Sequence, residues 1–278
     1  MTQLLIYPSM RRMAAIVAAA AMLAAGVASA DDGETVRLSY DAYVGPFFVV
    51  SAEAELRLDG DRYRVVTRAQ SEGLAGVLFS WQSEARSEGR FAGRRLQPRS
   101  HETDGQWSGE ARQVRLSYDG AGPIAARISP PPDLSERDPV PAALTAGTVD
   151  PLSATLDVLL GIAGGGACEG EYKVFDGRRR YDMLVSPGAA TDLPRVHTSV
   201  YAGLAQRCEF RIRRIAGFMK KQGKLGRQMT EPVLYVASPM PGVPPVPVRF
   251  TAETGFGDLR IHLTRVQRGR TILAIPES

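Results

Sequence analysis

The sequence predicts a mainly β protein, a large antiparallel curved sheet or half-open β-barrel with one short helix. Three observations predict it. From Val36 onward apolar and polar residues alternate with a period of two, as half-buried antiparallel strands require. Asp-Gly and Gly-Pro pairs interrupt the alternation where turns are needed. Only the segment around 150–160 has helical spacing, and a long series of strands with a single helix resolves into a curved sheet or partly open barrel.

Arg11 and Arg12 are followed by an apolar run from Met13 to Ala25. That run is about 13 residues long, against the ~20 that span a bilayer. With the small-residue site Ala28-Ser29-Ala30 it reads as a signal peptide over 1–30, cleaved after Ala30. The mature protein is expected in the periplasm, with no transmembrane segment. Residues 1–30 hold two arginines and no acid, so the mature balance is 32 basic against 30 acidic residues rather than 34 against 30. A charge so near neutral argues against nucleic-acid binding.

Val36, Leu38, Tyr40, Ala42 and Val44 share one face of the first strand, and Gly45-Pro46 ends it. Phe48 to Leu58 alternates in the same way, and Asp59-Gly60 turns the chain into a return strand with Tyr63, Val65, Thr67 and Ala69. Further strands are expected at 81–88, 96–103, 113–118 and 124–129, completing an N-terminal β half over 31–129. Residues 130–149 are proline-rich, with Pro130-Pro131-Pro132, Pro139 and Pro141, and form a connection that no central strand or helix interior can contain.

The C-terminal part, 150–278, begins with the helix: Asp150 as N-cap, Pro151 at the first helical position, and Leu152, Leu156, Leu159 and Leu160 on one stripe. Gly161 and Gly164 to Gly166 end it. Because this glycine cluster follows a helix instead of leading into one, it is a C-cap and not a phosphate cradle. Strands are then expected at 172–175 and 181–185, around the turn Asp176-Gly177, and at 195–201, 208–215, 229–236, 246–253, 258–266 and 271–275. The two halves are expected to form one continuous domain.

Cys168 and Cys208, the only cysteines, are expected to form a structural disulfide in an oxidising compartment, since no Cys-x-x-Cys spacing marks a redox pair. Closing a loop of about 40 residues contributes roughly 4 kcal/mol in the chain-entropy model.

The order of these features resembles the bacterial periplasmic family called domain of unknown function 3108. The resemblance is carried by Tyr40 and Gly45 in the first strand, Asp150-Pro151-Leu152-Ser153 at the helix start, Phe175-Asp176-Gly177-Arg178-Arg179, Cys208, and Pro247-Val248-Arg249 with Leu259 and Leu263. It covers most of the mature chain and implies a periplasmic, half-open antiparallel barrel. It supplies no reaction and no catalytic residues.

The residues themselves offer little chemistry. His101, His197 and His262 fall inside or at the ends of strands, have no histidine at metal-ligand spacing, and read as surface side chains. No Gly-x-Ser-x-Gly elbow presents a nucleophile. Glu53, Glu55, Glu84 and Glu88 fall on solvated strand faces, not in an identifiable acid pair. No metal and no cofactor are expected.

One local feature stands out. Arg211, Arg213, Arg214, Lys220, Lys221, Lys224 and Arg227 meet a single acid, Glu209, so the segment can face phosphates of an anionic lipid or an anionic envelope glycan. Its plainer reading is a solvated strand face and loop. The expectation is therefore a non-catalytic envelope protein that binds a lipid-like or other amphiphilic component on its concave face, with the basic segment at the headgroup. The alternatives are a structural or protein-interaction factor of the envelope and a cryptic hydrolase.

Overall fold

The computed structural model describes residues 35–276 apart from 79, 94, 121 and 221–229. The signal-peptide reading of 1–30 lies outside the described residues, as do Lys221, Lys224 and Arg227 of the basic segment.

Seven strands form the first half: β1 (Thr35–Val44), β2 (Phe47–Asp59), β3 (Arg62–Ser71), β4 (Trp81–Ala92), β5 (Arg95–Trp107), β6 (Glu110–Ser117) and β7 (Ala125–Ser129). A helix absent from the sequence expectation, α1 (Gly73–Leu78), joins β3 to β4. Gly73 starts it at a φ of +55°, a turn that hydrophobic periodicity does not reveal. The proline-rich connection contains one 3-10 turn, Ala142–Thr145, and leads into α2 (Pro151–Ala163). The second half holds β8 (Gly170–Phe175), β9 (Arg180–Pro187), β10 (Thr191–Leu193), β11 (Gly203–Ala216), β12 (Thr230–Ala237), β13 (Val246–Thr254), β14 (Gly257–Arg268) and β15 (Thr271–Ala274).

The strands make one fifteen-stranded sheet in the order β7-β6-β5-β4-β3-β2-β1-β14-β13-β12-β11-β9-β8, with β10 on β11 and β15 on β14. Every pairing between strands is antiparallel. The chain's two ends of sequence meet in the middle of this order, where β1 pairs β14. The strand expected at 195–201 does not form. Ser199 N donates to Val196 O in a turn after Pro194, and Val200 and Tyr201 pack on the core as a loop. Packing satisfies their apolar side chains without a ladder.

The sheet curls around α2, whose two sides bury separate clusters. Ala154 and Val158 pack with Val174, Met183, Val185, Leu234 and the Cys168–Cys208 disulfide. Leu156 packs on the other side against Leu56 and Tyr63, with Leu160 beside it. Full burial of one such leucine contributes about 2 kcal/mol. Asp157 ties the helix across the barrel, accepting from Leu96 N on β5 at 3.3 Å and from the Tyr172 hydroxyl on β8 at 3.1 Å.

The free edges of β7 and β8 are drawn together by the hairpin after β8. Phe175 joins Val114 and Leu116 in a buried cluster, and Gly177 lies against Val114 at a φ of +88°, leaving no room for a Cβ. Asp176 accepts from the backbone N–H groups of Arg178 and Arg179, shaping the turn. The Arg178 guanidinium donates to Ser129 O and Pro130 O at the end of β7. Val149 then adds a short parallel bridge to β8, through Val149 N to Lys173 O and Phe175 N to Val149 O. The Phe-Asp-Gly-Arg motif thus bridges the two edges of the sheet through side chains, without a β7–β8 ladder, and the barrel stays half-open.

Candidate functional site

Asp150 is the N-cap of α2, and its carboxylate has no exposed surface. It accepts from Ser153 N at 2.9 Å, Ser153 Oγ at 2.6 Å and Ser87 Oγ at 2.6 Å. A hydroxyl has one proton to give. The Ser153 proton is committed to Asp150, so the Tyr63 hydroxyl, 2.7 Å away, donates to Ser153 Oγ. By the same count His101 Nδ1 donates to Ser87 Oγ at 2.8 Å, and His101 Nε2 faces Thr103 Oγ1 at 3.1 Å. Burial alone would raise the Asp150 pKa, but the hydrogen bonds and charge of His101, with those of Ser153 and Ser87, hold it below the ordinary value.

This serine, histidine and aspartate do not make a nucleophile relay. A relay needs histidine to take the serine proton and aspartate to hold the far side of the ring. Here Ser87 gives its proton to Asp150 and accepts from His101, and Ser87 and His101 are 0% and 3% exposed. The cluster anchors a buried helix to β3, β4 and β5. His101 is therefore not a surface side chain, and neither is His262, which is 7% exposed. Burial, then the charges of Arg249, Arg260 and His197, push His262 down to about 4. Among the described residues no group of histidine, cysteine and carboxylate side chains could hold a metal ion.

The four glutamates lie on the outer face of the sheet. Glu55 pairs with Arg37 at 3.1 Å, Glu84 with Arg68 at 2.7 Å and Glu88 with Arg64 at 3.0 Å. Glu53 stands opposite Arg68 in the register.

The described part of the basic segment divides by partner. Arg213 on β11 is held by Asp182 on β9 at 2.6 Å and by Glu171 on β8 at 2.5 Å, so it is an ion-paired residue of the sheet and not a free cation. Asp182 also pairs with the buried Arg180 at 2.6 Å. Arg211 is exposed. Arg214 stacks over the Phe218 ring at 4.3 Å, and Lys220 donates to Leu134 O at 2.9 Å.

These cations stand toward the end of the barrel that carries several of the large exposed apolar side chains, although Leu204 and Ile272 are exposed at the other end. Phe47 and Phe48 follow the β1–β2 turn, Val77 is on α1, Trp107 ends β5, and Phe256 is in the β13–β14 turn, at 60%, 36%, 82%, 49% and 69% exposure. Register puts the turns together. Val44 pairs with both Phe47 and Leu259, Gly45 N donates to Asp258 O, and Trp81 stands opposite Trp107. Thr230, where the chain returns from the basic segment, pairs with Glu253 beside the same turn. Ile212, Ile215, Met219 and Leu134 are exposed at this end as well. The inner face next to it is built from small residues: Ala52, Ala69, Ser83 and Gly105 are successive partners across β2 to β5, each half-buried. Deeper in, α2 occupies the concave face that the sequence left open for a ligand. Sequence reading found the cations but not the apolar rim, whose members come from four separate turns.

The profile of the family described as "Protein of unknown function (DUF3108)" matches residues 39–264. No curated protein sequence matches the chain. A solved structure of a β-barrel-like protein of domain of unknown function DUF1849 from Brucella abortus is similar at 11% identity, covering 85% of this chain and 98% of that one with a TM-score of 0.50. A DUF1089 family protein from Pseudomonas aeruginosa is 14% identical over 69% of this chain and 90% of that one, with a TM-score of 0.28.

Proposed function

The chain belongs to the DUF3108 family, and from that premise we propose that it is an exported, non-catalytic envelope protein that associates with anionic amphiphiles through the apolar end of its barrel. The observation that carries this reading is the exposure of aromatic and aliphatic side chains on the turns at one end of the sheet, the end toward which β11 carries Arg214 and leads on to Lys220. Large apolar side chains exposed together on neighbouring turns mark an interaction site. Aromatic turns flanked by cations match the interface of an anionic bilayer, where rings sit at headgroup level and basic residues meet phosphate. The helix α2 and the sealed Asp150 cluster keep the deeper interior closed.

Vesicle sedimentation tests the reading. Wild-type protein is expected to pellet with phosphatidylglycerol vesicles and to release as salt is raised. Phe47→Ser with Phe256→Ser is expected to weaken binding by tenfold or more, since each exposed ring contributes of order 1–2 kcal/mol when it leaves water. Equal binding by the double variant and the wild type contradicts the proposal. An envelope protein partner is the second reading, favoured by the unpaired outer edge of β7, which offers five residues of backbone to an incoming strand.

A further inference from the structure

At the opposite end of the barrel, the outer face of β2 to β5 carries a groove of about 310 Å³ rich in arginine. Two rows of side chains make its walls. In one row Arg57 stands directly opposite Arg64, with Glu88 beyond; in the other Asp59 faces Arg62, and Arg62 faces Arg90. Arg99 completes the lining from the bulge where β5 passes β4 between the Glu88–Ser100 and Gly89–Pro98 pairs. Five guanidiniums therefore share one groove with two carboxylates.

Only Arg64 has a close acidic partner, Glu88 at 3.0 Å; Arg62 reaches Asp61 at 4.0 Å. The guanidiniums of Arg57, Arg90 and Arg99 make no hydrogen bond or ion pair with any described residue. Like charges directly opposite one another in a ladder repel, and this groove contains two such pairs side by side. The rest of the same face arranges its charges differently. Arg37 sits by Glu55, Arg68 by Glu84, and Arg115 donates to both oxygens of Asp104. Where a local rule is broken without a compensating contact inside the fold, a ligand is the natural compensation.

We propose that this groove binds a phosphoryl group, a phosphomonoester or phosphodiester. Guanidiniums fork onto phosphate oxygens in pairs of parallel hydrogen bonds. The stems are spaced for it: neighbouring strands are about 4.8 Å apart and the two rows about 7 Å apart, so two or three planar heads can converge on one tetrahedral anion. A phosphate carrying between one and two negative charges offsets part of the excess that Asp59 and Glu88 leave. The groove lies on the outer face at the end away from the apolar rim, so it is a second site, independent of the proposed amphiphile contact.

Calorimetric titration of the disulfide-intact protein at low salt tests it, with inorganic pyrophosphate as the first probe. Glucose 6-phosphate and dihexanoyl phosphatidic acid below its micelle concentration separate a phosphorylated sugar from a lipid headgroup as the source. The expected result is binding of pyrophosphate and of at least one organic phosphate, weakened tenfold or more by Arg57→Gln with Arg90→Gln and unchanged by Arg37→Gln, which removes an already paired arginine. The midpoint of thermal unfolding without ligand should stay level or rise in the double variant, since repulsion is relieved. No binding by the wild type, equal binding by the double variant, or a lower midpoint in that variant overturns the assignment. Because the rim residues are untouched, vesicle sedimentation of the same variant separates failure here from failure of the amphiphile reading.

Discussion

Strands β2 to β5 present polar residues on both faces and treat them in opposite ways. Inside, Tyr63, Ser87 and His101 meet Asp150 and Ser153 in a cluster where hydroxyl protons and carboxylate oxygens are matched and water is excluded. Outside, on the neighbouring residues of the same strands, Arg57, Arg64, Arg62 and Arg90 face one another in the open. Buried polar groups without partners are costly, so the inner cluster has to be complete for α2 to seat. An exposed groove tolerates mismatch because water screens it. The contrast separates polar residues that hold the fold from polar residues available to a ligand.

Four perturbations sharpen that contrast, beginning with the largest effect. Asp150→Ala leaves the Ser87 hydroxyl, the Ser153 hydroxyl and Ser153 N without their acceptor, and is expected to cost about 3–5 kcal/mol of unfolding free energy in urea titration. A loss below about 1 kcal/mol would mean that the inner cluster is not what seats the helix. Replacing Cys168 and Cys208 by serine should cost about 2–4 kcal/mol and leave phosphate binding on the outer face intact.

The pH dependence comes next. The folded pKa of Asp150 is held below its ordinary value, so its share of stability is present above the unfolded pKa and is lost as pH falls through the folded one. His262 is depressed from 6.5 to about 4, so the unfolded chain takes up a proton first and stability declines as pH falls between those values. Unfolding midpoints measured across this range should decline less steeply for His262→Gln than for wild type. The smallest effect is expected outside. Arg57→Gln alone should change stability by no more than about 0.5 kcal/mol, with a gain at low salt that disappears at high salt. A clear loss would show that the groove arginines are structural.

Much of this was legible in the residues. Period-two alternation located most of the strands, and Asp150-Pro151 located α2 and its cap, because both signals are local. The role of Asp150 was not legible, since Ser87 lies 63 residues away and reaches it only after the sheet curls. His101 read as a surface residue for the same reason: alternation assigns a face but does not say what covers it. Arg195 to Tyr201 carried a strand's composition but turned after Pro194 and packed as a loop. The arginine groove had a usable signal. A tight turn at Gly60-Asp61 fixes the hairpin register and sets Arg57 opposite Arg64, although Arg90 and Arg99 join only through β4 and β5. The basic segment drew attention through the density of its seven cations alone, and Arg213 within it is ion-paired to Asp182 and Glu171 on the neighbouring strands.

The proposed entry of the apolar end of the barrel into an anionic lipid interface can be measured directly. The chain's only two tryptophans, Trp81 and Trp107, stand opposite each other at that end, so intrinsic fluorescence reports on it directly. Titration with phosphatidylglycerol vesicles should move the emission to shorter wavelength and protect it from aqueous iodide. Emission and quenching that stay unchanged in a large excess of anionic lipid would contradict that proposal.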